Sequence, residues 1–304
     1  MTAPPGWSPS PTTSTPPPTN SKPHRTHATQ RAPHKTEGHN GRKHSLMSKT
    51  IAFIGSGEIG STLARLSVAA GYNVIMSNSR GPETLAGLVA ELGEHASAAT
   101  AADAARAGDL VVITVPFHLR DKLPIDALVG KTVIDTMNYY PIRDQRVPEL
   151  DNRGTTSSEL VQGLLPDSTL VKAAHNLDYV RLYTAARPAG AADRSALPVS
   201  GDDPAAKAEV IAWMDAIGYD AVDVGTLADS WRQEPGTPSY VHAYVVGYPE
   251  DDASLEEAQR WFREAPNAPI STARLTELLD AAERGPVGGI PQPGYVNGLR
   301  PDKH

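Results

Sequence analysis

Short apolar runs alternate with stretches of helical periodicity from Thr50 to Val224. Residues 50–54 are β-branched and apolar, which suits a strand buried on both faces. Ile59, Leu63, Leu66 and Ala70 then recur at helical spacing across 58–70, with Gly71 as a stop, and 73–77 predicts a second strand. Helices are expected over 83–92 and over the alanine-rich 98–107. Residues 110–115 form the clearest central strand, ended by Pro116, and 131–135 the next. Thr156-Ser-Ser-Glu159 spells a capping box that opens a helix over 159–165. Further strands are predicted at 170–174, 196–200 and 220–224, with a helix over 204–217. This alternation implies the α/β class, as a Rossmann-type doubly wound parallel sheet. Beyond it, 231–240 reads as a loop, 255–263 and 271–282 as amphipathic helices, and the last 20 residues as Gly/Pro-rich extended or disordered chain.

Three parts follow: a disordered N-terminal extension (1–47), a nucleotide-binding sheet (48–232), and a small, mostly helical C-terminal extension with a disordered tail (233–304). Residues 1–48 hold Pro and Ser/Thr clusters and five of the ten histidines, too little apolar surface to offset the entropy of ordering. Met47 directly precedes Ser48-Lys49 and the first strand, so the extension is expected to be either an upstream-called start or dispensable. Six Lys/Arg against Glu37 give residues 1–48 a net charge of +5, which leaves the remainder of this −7 chain at −12. An acidic body argues against nucleic acid and anionic membranes as partners. No apolar run approaches membrane-spanning length and no signal-peptide core is present, so a cytoplasmic location is expected. With no cysteine, disulfides, thiolate nucleophiles and Cys-based metal sites are excluded.

The chemistry begins where the first strand ends. Gly55-Ser56-Gly57-Glu58-Ile59-Gly60 matches G-x-G-x-x-G between a strand and a helix. In that pattern Gly55 permits the tight turn, Gly57 lets the backbone approach a pyrophosphate, and Gly60 lets the helix pack close. The helix N-terminus directs its free amides at the same place.

The end of the second strand selects the dinucleotide. An NAD site usually places Asp or Glu about 20 residues beyond the turn, but 77–81 reads Ser-Asn78-Ser79-Arg80-Gly, with no acid. A carboxylate would repel a 2′-phosphate, whereas Arg80 can pair with it and Ser79 can donate its hydroxyl. NADP(H) is therefore the expected cofactor. The competing possibility is that Arg80 merely lies in a solvated loop before the helix that Pro82 and Glu83 open.

In a doubly wound sheet the ligand lies across the carboxyl ends of the strands. Those ends carry Val115-Pro116-Phe117-His118, the segment Asp135 to Tyr139 with Asn138, and Ala174-His175-Asn176. Val115, Pro116 and Asn138 are expected at the nicotinamide end of the cofactor. His175 and Asn176 read either as a polar pair that holds the carboxamide or a ring carbonyl of a second substrate, or as a histidine satisfied by local backbone. His118 is expected to pack or cap its loop, and Tyr139 and Tyr140 either to pack at the strand edge or to flank a planar ligand. No triad, nucleophile elbow or metal-binding spacing stands out. The residues thus point to an NADPH-dependent oxidoreductase without a dedicated acid–base residue, in which juxtaposing two rings supplies most of the barrier reduction.

Gly-Ser-Gly-Glu-Ile-Gly (55–60), Ser-Asn-Ser-Arg-Gly-Pro-Glu (77–83), Ile-Thr-Val-Pro (113–116), Lys-Thr-Val-Ile-Asp (131–135) and Lys-Ala-Ala-His-Asn (172–176) resemble the coenzyme F420-dependent NADP oxidoreductase family over roughly residues 49–232. The resemblance implies that Ser79 and Arg80 hold the 2′-phosphate and that the pyrophosphate lies on 56–60. It also implies that coenzyme F420, a deazaflavin, stacks on the nicotinamide near His175, and that the chain is a homodimer. Glu58 departs from the amide residue common at its turn position, and 233–290 is longer than in the minimal family enzyme. The absence of a long all-helical domain counts against the β-hydroxyacid dehydrogenase type. An alternative of another class is a non-catalytic NADPH-binding sensor whose C-terminal helices contact a partner.

Overall fold

The computed structural model describes residues 49–247 and 254–285. The expectations for 1–47 and for the terminal Gly/Pro-rich tail therefore lie outside the described residues. Eight strands form one sheet: β1 Thr50–Ile54, β2 Asn73–Ser77, β3 Ala96–Ala98, β4 Leu110–Ile113, β5 Thr132–Asp135, β6 Thr169–Lys172, β7 Ala196–Gly201 and β8 Asp220–Gly225. Their order is β3-β2-β1-β4-β5-β6-β7-β8.

Period-two alternation divides the core between two faces. Ile51 and Phe53 of β1 join a cluster with Leu63, Val112, Ile134, Trp213 and Leu275 on one face. Ala52 and Ile54 join Val111, Ile113, Val133, Leu128 and Val161 on the other. Helices on both faces make the fold a doubly wound α/β structure of Rossmann type. On the first face, the helix Pro204–Ile217 lies against the helix Glu58–Ala69, where Trp213 Nε1 donates to Ser67 Oγ at 3.1 Å.

Three features differ from the sequence expectation. Residues 98–107 are not one helix: Ala96–Ala98 pairs with β2, and Thr100 caps a shorter helix, Ala101–Ala107, by accepting from Asp103 N–H. Residues 83–92 open with a 3₁₀ turn, Pro82–Leu85, before the α-helix Ala86–Leu92. The sheet is also not wholly parallel, because β6 and β7 are antiparallel while every other neighbouring pair is parallel.

The antiparallel junction shapes the site. Its register matches Val171 with Gly201 and Lys172 with Ser200. β7 thus overlaps only the last two residues of β6, and the rest of β7, with β8 beside it, runs past the carboxyl end of the parallel strands. The chain that leaves β8 then returns over those strand ends as the 3₁₀ turns Leu227–Gln233 and Val241–Tyr244.

The two C-terminal helices join this framework rather than projecting from it. Leu275 and Leu279 of Thr272–Asp280 are buried in the first core cluster, and Ala196 N–H donates to Ile270 O at 2.7 Å. Leu255–Glu264 is held at its C-terminus by the buried Arg181. That guanidinium donates to the carbonyls of Trp261, Phe262 and Ala265 at the end of the helix, where the last carbonyls run out of intrahelical donors; Trp261 O also accepts from Ala265 N–H. No helix among the described residues is long and apolar enough to cross a membrane.

Candidate functional site

The glycine turn is built by three contacts. Gly55 has φ +117°, a conformation that favours glycine, and its N–H donates to Ser77 O at 3.1 Å. Thr114, just beyond β4, donates its hydroxyl to Gly55 O at 2.8 Å. A Cβ on Gly60 would come within 2.3 Å of Gly55 O and 2.6 Å of Thr114 Oγ1. Glycine at 55 and 60 is therefore required by the protein itself. Gly57 is different: it is exposed, with φ −72°, and a Cβ there would meet nothing within 4 Å. No contact among the described residues calls for glycine at 57, so the open space beside it is what a side chain would fill.

Gly57 is also the N-cap of the helix Glu58–Ala69, which has no side-chain cap. Its first bonded amide is Ser61 N–H, on Gly57 O at 2.9 Å. The amides of Glu58, Ile59 and Gly60 precede that bond and face the turn with the positive end of the helix dipole. Ser56 is half-buried, Glu58 is exposed, and Ile59 is partly buried against the first core cluster.

Across from the turn, residues 78–81 form a compact Asx turn. Arg80 N–H donates to Asn78 Oδ1 at 2.9 Å, and Asn78 Nδ2 donates to Thr84 Oγ1 at 2.9 Å. Ser79 and Arg80 are exposed at its tip, and the Arg80 guanidinium has no ion-pair partner among the described residues. The backbone is fixed while the charge is left available.

At the ends of β4 and β5, Val115 and Pro116 are half-buried. Tyr139 and Tyr140 are buried: Tyr139 packs on Phe117 and accepts from Val147 N–H. His118 does hold its loop, but through a buried carboxylate far along the chain. Asp144 Oδ1 lies 2.8 Å from His118 Nδ1 and 3.3 Å from the His118 N–H, while Oδ2 accepts from Tyr140 N–H at 2.9 Å. Burial acts to raise the Asp144 pKa, but hydrogen bonds from Arg143, Tyr140 N–H and His118 outweigh it and hold the carboxyl below its ordinary value.

His175 and Asn176 lie deeper. Ala174, at φ +52°, turns the chain at the end of β6 and sends the His175 ring beneath the segment after β8. His175 Nδ1 is 2.9 Å from Asn138 Oδ1, and Nε2 is 3.2 Å from the Gln233 side-chain amide. Asn138 in turn donates to His175 O and to Tyr240 Oη, each at 3.1 Å. Asn176 Nδ2 donates to the carbonyls of Gln233 and Ser239, while its buried Oδ1 has no hydrogen-bond partner among the described residues. The structure thus joins the half-buried Asn138 to the buried His175 and Asn176 in one network, and adds Gln233 and Tyr240. These two had no sequence signal: they lie in the stretch that reads as a loop, 58 and 102 residues from the groups they touch.

Burial holds the His175 ring neutral, with its pKa well below the ordinary value near 6.5; the charge of Lys172 adds to this and the Gln233 contact only partly opposes it. The unfolded ring takes up a proton below about 6.5 that the folded ring refuses. Stability from this group is thus complete above that pH and falls as pH drops through it, by up to ~1.4 kcal/mol per unit until the folded value is reached. His175→Gln should remove this slope. Unfolding free energies of wild type minus variant that stay flat between pH 7.5 and 5 would show that the ring titrates freely (a range of about one unit on either side of the ordinary value).

Among the described residues, no group of three His, Cys, Asp or Glu is placed to hold a metal ion. What the surface offers instead is a glycine turn with open space at Gly57, an arginine opposite it that is unpaired among the described residues, and strand-end loops between. Residues 50–139 match the family described as NADP oxidoreductase, coenzyme F420-dependent. This segment is similar to that family. It carries the glycine turn, Arg80, Pro116 and Asn138. A hypothetical protein of Sinorhizobium meliloti, SMa0349, superposes with a TM-score of 0.54 at 29% identity, covering 64% of this chain and 93% of that one. A candidate F420-dependent NADP reductase from Arthrobacter sp. FB24 gives a TM-score of 0.52 at 25% identity, covering 60% of this chain and 87% of that one. Protein YjhV of Escherichia coli (strain K12) is 40% identical over 72 residues, or 24% of this chain. The chain spans about half the length of that curated relative, 49%.

Proposed function

We propose that this chain is an NADPH-dependent oxidoreductase that exchanges a hydride between NADP(H) and a small planar acceptor, with a deazaflavin of the F420 type as the first candidate. The observation that carries the reading is the pairing of open space at Gly57 with Arg80 across the turn, whose guanidinium has no ion-pair partner among the described residues. In this reading Ser56 to Gly60 hold the pyrophosphate on backbone amides. Ser79 and Arg80 hold the 2′-phosphate, and Asn78 fixes their turn. Val115, Pro116 and Asn138 border the nicotinamide end. The cofactor, when bound, supplies the hydride; the chain supplies orientation and excludes water. The family description and the name of the Arthrobacter relative both favour F420 as acceptor. His175 and Asn176 act here as positioning residues, through Asn138 and the 233–241 segment.

A second reading, an NADPH-binding sensor without turnover, is favoured by one observation. His175 and Asn176 are buried beneath residues 233–241 and do not face open space. Turnover separates the two. Purified protein mixed with NADPH and F420 should change absorbance at the bands of both cofactors. NADPH binding without oxidation by any deazaflavin, flavin or carbonyl acceptor would select the sensor.

A further inference from the structure

The sequence offers no dedicated acid–base group, yet the structure orients one. His118 follows Pro116 at the carboxyl end of β4, four residues beyond Thr114, whose hydroxyl touches the glycine turn. Asp144 is buried, with none of its side chain exposed, and it links the loops after β4 and β5 by bonding both His118 and Tyr140. Arg143 holds the same carboxylate from its far side, with Nη2 on Oδ2 at 2.7 Å and Nε on Oδ1 at 2.9 Å. An acceptor-only carboxylate 2.8 Å from Nδ1 requires Nδ1 to carry its proton. Nε2 lies on the opposite edge of the ring, and the side chain is 42% exposed. Nε2 has no hydrogen-bond partner among the described residues. A buried carboxylate that fixes the tautomer and orientation of a half-open imidazole is the arrangement proton transfer needs.

We propose that His118, positioned by Asp144, exchanges the proton that accompanies hydride transfer at this site. The inference rests on the NADP oxidoreductase reading and adds a residue to it. The acceptor gains two electrons and one hydrogen as hydride from the dihydronicotinamide, which leaves as NADP⁺. The electron pair of the acceptor's reduced double bond moves to its heteroatom, which takes its proton from His118 Nε2–H. The neutral ring keeps Nδ1–H on Asp144 and regains its Nε2 proton from solvent through the exposed edge. In the opposite direction Nε2 accepts that proton.

The test uses the full-length protein and two readouts. In ¹⁵N-detected histidine spectra, assigned by the signal missing from His118→Gln, the neutral His118 ring should show the Nδ1–H tautomer, and Nε2 should shift when NADP⁺ is added. His118→Gln should keep its NADPH Kd within about threefold while kcat for acceptor reduction falls about 100-fold, the scale of a positioned acid. His118→Ala should recover part of that loss when imidazole is added, which a purely structural histidine would not allow. The proposal is overturned by NADP⁺ binding with an unmoved His118 signal, or by an unchanged kcat in His118→Gln. A wild-type protein that binds neither NADPH nor NADP⁺ would instead remove the oxidoreductase reading, and this proposal with it. With no acceptor in hand, the NADP⁺-induced shift decides by itself.

Discussion

Replacing Arg80 by alanine should weaken NADPH binding about 100-fold while NADH affinity changes by no more than about twofold, because only the former carries the phosphate that the guanidinium pairs with. The fold should not register the change: the Arg80 side chain is exposed, and its backbone N–H stays anchored on Asn78 Oδ1. A charge-assisted hydrogen bond contributes about 1.5–3 kcal/mol, and each 1.4 kcal/mol is tenfold in affinity, so a bidentate pair supports the figure. Salt weakens an exposed pair, so both dinucleotides must be titrated at one ionic strength. Arg80→Lys should recover only part of the loss, since an ammonium offers a point charge without the planar fork. Equal losses for NADPH and NADH would mean that Arg80 reads the shared part of the cofactor. No loss for either would place it in a solvated loop.

The parts legible in sequence are those whose physics is local. β1 runs from Thr50 to Ile54 because five β-branched or apolar residues sit between a polar start and a glycine turn. Pro204–Ile217 is bounded by Asp203, which caps it through Ala206 N–H, and by Gly218 at φ +111°, both readable as end signals. The capping box of Thr156 and Glu159 forms as spelled. β3 was illegible because Ala96-Ser-Ala98 carries a helix former's composition and becomes a strand only by pairing with β2. The reversal at β7 has no local signature, since an antiparallel strand after a connecting segment reads like a parallel one. Around the candidate site the division is the same. The glycine turn and the Arg80 tip each occupy one short window, whereas Asp144 finds His118 from 26 residues away and Gln233 finds His175 from 58. Whether a histidine is an idle cap, a buried strut or a proton carrier depends on such partners, and spacing alone does not disclose them.

The largest stability change is expected from the pair behind the strand ends, Asp135 and Lys172. Both are buried, 1% and 0% exposed, at the carboxyl ends of β5 and β6, with Lys172 Nζ 3.3 Å from Asp135 Oδ2. The surrounding bonds leave little spare capacity. Asp135 Oδ1 accepts from Met137 N–H and Oδ2 from Ser158 Oγ–H, each at 2.8 Å, while Lys172 Nζ also donates to Met137 O. Lys172→Met should therefore cost about 3–5 kcal/mol, because a buried carboxylate loses its counter-charge and keeps only neutral donors. In a chain of this size each kcal/mol lowers the midpoint by ~2–4 °C, so a fall on the order of 10 °C should appear in thermal unfolding. Asp135→Asn alone should be destabilising for the converse reason, since it strands an ammonium. The double variant Asp135→Asn/Lys172→Met should recover much of the loss, because removing both charges also removes the desolvation penalty each imposes. Losses that simply add in the double variant would show that the two charges do not depend on each other. The pair also bears on the site. Asp135 and Lys172 grip both the N–H and the carbonyl of Met137, the residue before Asn138. A single variant that still folds should therefore bind NADPH more weakly, and the double variant should regain affinity along with stability. Stability restored without affinity would mean that the ion pair, beyond filling space, sets where Asn138 points.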